Sequence, residues 1–98
     1  MSLRSYILVP ASDAAASRSA LAGSADMVVL DLEDTVPVDQ KPRARIMLRT
    51  GLSADWAGDD RCAVRVNEWM SKAGGVDRMA LAGLYLPAVV LPKVGSSK

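Results

Sequence analysis

The sequence predicts an α/β fold in which four parallel strands alternate with helices in the order βαβαβαβ. Four short segments rich in β-branched and aliphatic residues recur about 20 to 37 residues apart. Stretches with helical spacing separate them, and parallel strands need crossover connections of that kind. Charged or amide side chains follow three of the four segments, and in α/β proteins ligands bind at that end of the strands. The same pattern therefore predicts both the fold class and the place of a ligand site.

The chain begins with a predicted strand and an alanine-rich helix. The strand covers residues 5–9 and ends before Pro10, since a residue that precedes proline is restricted to extended conformations. The helix is predicted over residues 13–22, with Ser12 or Asp13 as its N-cap. Its many alanines favour close packing on a sheet.

The second predicted strand, residues 27–32, is strongly apolar and runs directly into Asp31, Glu33 and Asp34. Placing three carboxylates so close together costs electrostatic repulsion, and desolvation as well if they are covered. Strand alternation puts Asp31 and Glu33 on one face. Two carboxylates at the end of a parallel strand suit a metal ion, its bound waters or a cationic binding group, and a solvated acidic turn is the alternative.

Four further elements complete the predicted order. Apolar residues at helical spacing indicate a helix over residues 41–52, whose arginines we expect to face water. A strand over residues 63–66 follows, then a helix over 76–82 that opens after two glycines, and a last strand over 88–91. The segment from about residue 95 is expected to be a tail.

Arg65 interrupts the apolar pattern of the third predicted strand. We expect it to share a face with Asn67, and a buried arginine needs an anionic partner, from either the chain or a substrate. Lys93 follows the fourth strand in a similar way. Charges at the ends of three neighbouring strands predict a shared ligand site. An internal ion pair from Arg65 to Asp31 or Glu33 is the alternative.

Composition narrows the possible functions. The 98 residues limit the chain to one domain, and 50% hydrophobic residues with a net charge of +1 are ordinary for a globular protein. We therefore expect no nucleic-acid or membrane partner. The absence of histidine excludes Ser-His triads and histidine metal ligands. The single cysteine, Cys62, cannot form an intrachain disulfide, and no secretory signal is visible, so a cytoplasmic location is expected.

Four motifs, in this order, resemble the HpcH/HpaI aldolase and citrate lyase β-subunit family. They are Tyr-Ile-Leu-Val-Pro at 6–10, Leu-Asp-Leu-Glu-Asp-Thr-Val at 30–36 followed by Lys41 and Ala44-Arg45, Val-Arg-Val-Asn at 64–67, and Leu-Pro-Lys-Val at 91–94. The resemblance covers nearly the whole chain and the first half of the family's domain. It implies that residues 1–98 form the first half of a TIM-type (β/α)₈ barrel.

The resemblance also implies a Mg²⁺-dependent carbon–carbon lyase. Such an enzyme cleaves (3S)-citryl-, malyl- or related acyl thioesters to an acetyl-type thioester and a 2-oxo acid. The site residues that it implies are Asp31 and Glu33 as catalytic carboxylates, and Arg65, Asn67 and Lys93 as substrate-binding groups. The family's direct metal ligands are expected beyond Lys98. We therefore expect this chain to be incomplete and inactive alone, and to form a homo-oligomer, either a family-like trimer or a pair of half-barrels.

Two other functions are compatible with the residues. The stretch from Asp31 to Val36 is one residue from the Asp-x-Asp-x-Thr motif of haloacid-dehalogenase-like phosphatases, with Glu33 in place of the second aspartate. In that reading Asp31 attacks phosphate beside Mg²⁺. The other alternative is a half-barrel that binds a ligand or assembles with a partner but catalyses nothing.

Overall fold

Four parallel strands form one sheet in the order β1-β2-β3-β4. The computed structural model describes residues 5–52, 56, 59–68, 70–84 and 88–90. The strands are β1 (Tyr6–Pro10), β2 (Met27–Asp31), β3 (Cys62–Arg65) and β4 (Ala88–Val90), and the helices are α1 (Ala14–Ala22), α2 (Lys41–Gly51) and α3 (Lys72–Leu81). The predicted βαβαβαβ order is confirmed. The prediction that β1 ends before Pro10 was wrong: Pro10 is its last residue and pairs with Asp31, because proline is tolerated in an outer strand. Leu91, predicted to end the last strand, and the expected tail lie outside the described residues.

Helix α1 begins where the sequence predicts. Of the two candidate N-caps, Asp13 is the one used, because its Oδ1 accepts a hydrogen bond of 2.9 Å from the amide of Ala16. Such a cap satisfies one of the amides that the first helical turn leaves without a partner. Gly23 ends the helix, and its amide donates to the carbonyl of Ala20.

Helix α3 begins at Lys72, earlier than the predicted residue 76. Ser71 is its N-cap, and its Oγ accepts a 3.0 Å hydrogen bond from the amide of Gly74. The amide of Gly75 donates to the carbonyl of Ser71 at 2.9 Å. The prediction was wrong because it gave weight to the low helix propensity of glycine and overlooked the serine cap, which offsets it.

The helices pack on one face of the sheet. Val28, Leu30 and Val64 point to that face and are fully buried in one apolar cluster with Ala44 and Leu48 of α2. Each fully buried aliphatic side chain contributes about 1.5 to 3 kcal/mol relative to an exposed one. None of the helices in the described part of the chain has the length and hydropathy needed to span a bilayer.

The opposite face of the sheet carries exposed apolar side chains. Strand register pairs Tyr6 with Met27 and Leu8 with Val29, so these apolar side chains share that face. Tyr6 is 69% exposed and Met27 38% exposed. Together with Arg65 and other strand residues they line a cavity of about 280 Å³. We call this surface the bare face.

Trp56 closes one end of the helix layer. Its side chain is buried and belongs to the apolar cluster. It lies against Gly51, the last residue of α2, so closely that a Cβ built on Gly51 would overlap the indole ring. The tryptophan can reach this position only because residue 51 has no side chain.

We predict that Gly51→Ala lowers the free energy of unfolding by about 1 to 3 kcal/mol, because the added methyl displaces Trp56. Urea unfolding followed by tryptophan fluorescence measures the change. Gly75→Ala is the matched control, because its Cβ would meet only the Arg78 guanidinium, at 3.6 Å. That variant should gain roughly 0.5 to 1 kcal/mol from the better helix propensity of alanine. Equal stability of the parent and Gly51→Ala would contradict the packing described.

Candidate functional site

A bidentate ion pair between Asp31 and Arg65 lies at the carboxyl end of the sheet. The register pairs these two residues directly across β2 and β3, so both side chains project from the bare face. Arg65 Nε donates to Asp31 Oδ1 at 2.7 Å and Nη2 donates to Oδ2 at 2.9 Å. The Asp31 side chain is fully buried, whereas that of Arg65 is 19% exposed. The internal ion pair that the sequence left as an alternative is therefore formed.

The carboxylate of Asp31 also organises the turn that follows β2. Its Oδ1 accepts from the amide of Glu33 at 2.9 Å, and its Oδ2 accepts from the amide and the hydroxyl of Thr35 at 2.8 and 2.7 Å. Burial alone would raise the pKa of Asp31, but the hydrogen bonds from Arg65, Thr35 and Glu33 outweigh it and lower the pKa to about 2. Asp31 is thus ionised throughout the physiological range.

Glu33 lies near Arg65, as predicted, but strand alternation is not what places it there. Strand β2 ends at Asp31, so the turn, rather than strand alternation, brings Glu33 Oε1 to 3.5 Å from Arg65 Nε. The Glu33 side chain is 23% exposed, and Asp34 lies farther out at 4.0 Å from Arg65. Burial, followed by the negative charge of Asp34, raises the pKa of Glu33. Glu33 is the partly accessible carboxylate at the rim.

Asn67 lies in the helix layer, away from Arg65. Its Oδ1 accepts from Lys41 Nζ at 3.0 Å, and its Nδ2 donates to the carbonyl of Leu32 at 2.9 Å and to Asp77 at 2.7 Å. The expected shared face with Arg65 is not formed, because β3 ends at Arg65 and strand alternation does not extend to residue 67. A substrate-binding role for Asn67 stays a prediction.

Asp77 is fully buried beneath Asn67 and is paired with Arg45. Its Oδ1 accepts from Arg45 Nε at 2.6 Å, and its Oδ2 accepts from both nitrogens of Asn67. We expected the α2 arginines to face water, and for Arg45 this was wrong. Arg43 and Arg49 are exposed, as expected, although Arg49 also donates to the carbonyl of Ala80 at 2.6 Å. We call Lys41, Asn67, Asp77 and Arg45 the buried polar network.

Sequence reasoning missed the role of this network. Lys41 and Arg45 belong to one of the motifs, but nothing in their spacing shows that they meet residues on α3. Asp77 carried no signal, because an isolated aspartate in a helix is usually solvated. The long-range packing of α2 on α3 creates its buried environment.

Two other residues need a brief account. Lys93, the third predicted binding group, lies outside the described residues. Cys62 is buried in the apolar cluster, and burial raises the pKa of its thiol to about 11, so it is an unreactive core residue.

The guanidinium of Arg65 keeps donors available for a ligand. Among the described residues, none accepts a hydrogen bond from its Nη1, and the side chain lines the cavity of the bare face. Arginine presents five N–H groups in a planar fork that suits carboxylates. The arrangement can therefore bind a carboxylate from the bare face while Asp31 fixes the fork from the side.

The described residues contain no group of three His, Cys, Asp or Glu side chains that could hold a metal ion. Asp31 is a poor ligand as it stands, since both of its oxygens already accept hydrogen bonds from the chain. Glu33 and Asp34 remain at the rim, where they could accept hydrogen bonds from metal-bound waters. The described residues do not fit a complete magnesium site.

A parallel sheet with helices on one face and charged residues at the carboxyl ends of its strands is typical of α/β-barrel enzymes. The chain belongs to the HpcH/HpaI aldolase/citrate lyase family, whose model matches residues 4–98. It is 36% identical over 91 residues to the (3S)-malyl-CoA thioesterase of Cereibacter sphaeroides, covering 93% of this chain and 32% of that protein. It is 43% identical over 77 residues to the citrate lyase subunit beta-like protein of Mycobacterium tuberculosis. That match covers 78% of this chain and 26% of that protein.

Solved structures give the same family. The citrate lyase beta subunit of M. tuberculosis, complexed with oxaloacetate and magnesium, matches with a TM-score of 0.78 and 38% identity over 91% of this chain and 38% of that one. This likeness confirms that the four strands are the first part of a TIM-type barrel. Magnesium is bound in these solved relatives, as the resemblance implied. The chain spans about a third of the length of the curated relatives it matches.

We predict that Asp31→Asn removes a pH-dependent part of the stability. The folded pKa of about 2 lies below the ordinary 3.8, so the carboxylate contributes about 2 kcal/mol above pH 4, which is lost as the pH falls toward 2. The stability gap between parent and variant, measured by urea unfolding, should therefore narrow between about pH 5 and pH 2. Asp39→Asn, at an exposed position, is the control and should match the parent at pH 7. A gap independent of pH would contradict this account.

Proposed function

We propose that this chain provides the carboxylate-binding part of a carbon–carbon lyase of the citrate lyase β-subunit type. The substrate class is a (3S)-citryl, malyl or related acyl thioester, which yields an acetyl-type thioester and a 2-oxo acid. The observation that carries the proposal is the Arg65 guanidinium, which is held by Asp31, lines the cavity and donates from Nη1 to none of the described residues. The oxaloacetate complex of the M. tuberculosis relative supports a 2-oxo acid as ligand.

The three charged residues at the strand ends take different roles in this proposal. Arg65 binds the carboxylate of the 2-oxo acid part of the substrate. Asp31 positions Arg65, because its own oxygens are engaged and its low pKa makes it a weak base. Glu33 is the better candidate to hold or move a proton, since its pKa is raised and its side chain is partly accessible. The phosphatase alternative is disfavoured, because the engaged carboxylate of Asp31 is not free to attack phosphate.

In the proposed reaction the hydroxyl on the carbon next to the substrate carboxylate gives its proton to a base, and its oxygen becomes the oxo group of the 2-oxo acid. The adjacent carbon–carbon bond breaks, and its electron pair goes to the α-carbon of the thioester as an enolate, which then takes up a proton. Charge accumulates on oxygen throughout, and fixed cations stabilise it. The thioesterase name of the C. sphaeroides relatives makes hydrolysis of the same thioesters the second candidate activity.

Several parts of the proposal depend on residues outside the described ones. Magnesium, when bound, would supply charge to polarise the 2-oxo acid, and its direct ligands are expected beyond Lys98. Lys93 is proposed to add positive charge at the rim. Binding of coenzyme A and a cytoplasmic location remain predictions. One solved relative is complexed with magnesium, acetoacetate and coenzyme A.

We predict that Arg65→Met weakens the binding of oxaloacetate by at least about tenfold, because a hydrogen bond to a charged group contributes roughly 1.5 to 3 kcal/mol. Isothermal titration with oxaloacetate and Mg²⁺ measures the change. Arg65→Lys keeps a charge beside Asp31 but loses the fork, and should also weaken binding. Arg43→Met, at an exposed position of α2, is the matched control and should bind as the parent does.

Equal affinity in the parent and both Arg65 variants would refute the proposed carboxylate site. Mass spectrometry of products from malyl thioesters then separates the remaining functions. Release of glyoxylate indicates the lyase, and release of free malate indicates the thioesterase. Oxaloacetate binding with neither product is the result expected of this chain alone, and it also fits a binding module without catalysis.

We also propose that the 98-residue chain pairs with a second copy. The bare face exposes Tyr6 and Met27, and the outer strands β1 and β4 each leave one edge without a described neighbour. Exposed edges and apolar faces of this kind favour pairing. Two such sheets related by a twofold axis would bring β1 of one copy beside β4 of the other and give eight parallel strands. A family-like trimer is the other arrangement.

We predict that the chain is a dimer in solution and that Met27→Lys, which places a charge on the bare face, shifts it to monomer. Light scattering after size exclusion measures the mass. Met79→Lys makes the same change on α3, where the side chain is 76% exposed, and should leave the dimer intact. A monomeric parent would contradict pairing, and a mass of three chains would favour the trimer.

A further inference from the structure

The ammonium group of Lys41 joins two loops at the carboxyl end of the sheet. Its Nζ donates to the carbonyls of Leu32 and Glu33, both at 2.9 Å, and to Asn67 Oδ1 at 3.0 Å. An ammonium group has three donors, so these contacts use all of them. The first two acceptors belong to the turn after β2, and the third belongs to the loop after β3.

Asn67, the third acceptor, is anchored in the helix layer. Asn67 is bound through its side chain and its amide to the buried Asp77 of α3, at 2.7 and 2.8 Å. Asp77 is bound in turn to Arg45 of α2 at 2.6 Å. The buried polar network therefore connects two helices to the turn that carries Glu33. A fully satisfied network of this kind fixes a single geometry.

We propose that Lys41 is a positioning residue for the substrate site. It holds the turn that carries Glu33 at a fixed distance from Arg65, the last residue of β3. This inference rests on the proposed function, in which Glu33 and Arg65 face the same substrate.

The proposal follows from how the turn is held. The turn has two anchors, the carboxylate of Asp31 on the bare face and Lys41 on the helix face. Asp31 is bound to Arg65 and shares that guanidinium with any incoming carboxylate. The Lys41 contacts involve none of the groups that face the cavity. They therefore remain in place while substrate binds, so that Glu33 does not follow movements of Arg65.

The test compares Lys41→Met with Arg43→Met, which makes the same change two residues away on α2, at an exposed position. Two quantities are measured: hydrogen exchange of the Glu33 and Thr35 amides, and the dissociation constant for oxaloacetate with Mg²⁺. In Lys41→Met we expect both amides to exchange roughly tenfold faster or more, while the amides of β3 keep their rates. We expect oxaloacetate binding to weaken about tenfold. Arg43→Met should match the parent.

Unchanged exchange in Lys41→Met overturns the proposal, and so does faster exchange spread evenly over all strands, which would mean a global effect. Local loosening with unchanged oxaloacetate affinity also overturns the role in the site. If Lys41→Met does not fold, Lys41→Arg decides by the same readouts, since it keeps the charge but cannot place three donors at one point. Failure of both to fold overturns the proposal. If the parent does not bind oxaloacetate, the proposed function fails and the exchange rates still decide whether Lys41 holds the turn.

Discussion

The burial of one carboxylate governs the carboxyl end of this sheet. A fully buried and ionised Asp31 is costly to desolvate, and it is tolerated only because it accepts five hydrogen bonds, two of them from Arg65. These hydrogen bonds hold the turn after β2 and fix the direction of the Arg65 guanidinium. The same bonds engage both oxygens of Asp31, whereas the Glu33 carboxylate remains partly accessible.

The two faces of the sheet carry two separate polar systems. Asp31 and Arg65 lie on the bare face, beside the cavity, while the buried polar network lies among the helices. The turn after β2 touches both. In a βα-barrel, active sites lie at the carboxyl ends of the strands. Here one turn at that end is held by Asp31 on one side and by Lys41 on the other. Exposed apolar side chains such as Tyr6 show that the inner face has no cover among the described residues.

Much of the fold followed from local patterns. Apolar segments and a helix cap were enough for the element order and placed most boundaries within one residue. The start of α3 was misplaced by four residues, because the Ser71 cap was overlooked. The placement of Asp31 beside Arg65 followed from strand alternation and neighbouring order. Asn67 was predicted on the wrong face because strand alternation was assumed to continue beyond Arg65, where β3 ends. Asp77 and the burial of Arg45 were beyond prediction, since they arise from the packing of α2 on α3, which no local pattern encodes.

We infer that Arg65 can bind a substrate carboxylate while it remains paired with Asp31. Titration of the ¹⁵N-labelled chain with oxaloacetate and Mg²⁺, followed by NMR, tests it directly. We predict that the Nη signals of Arg65 shift on binding, while the Thr35 amide, which reports on Asp31, keeps its chemical shift. Unchanged Arg65 signals, or a Thr35 shift that shows release of Asp31, would contradict it.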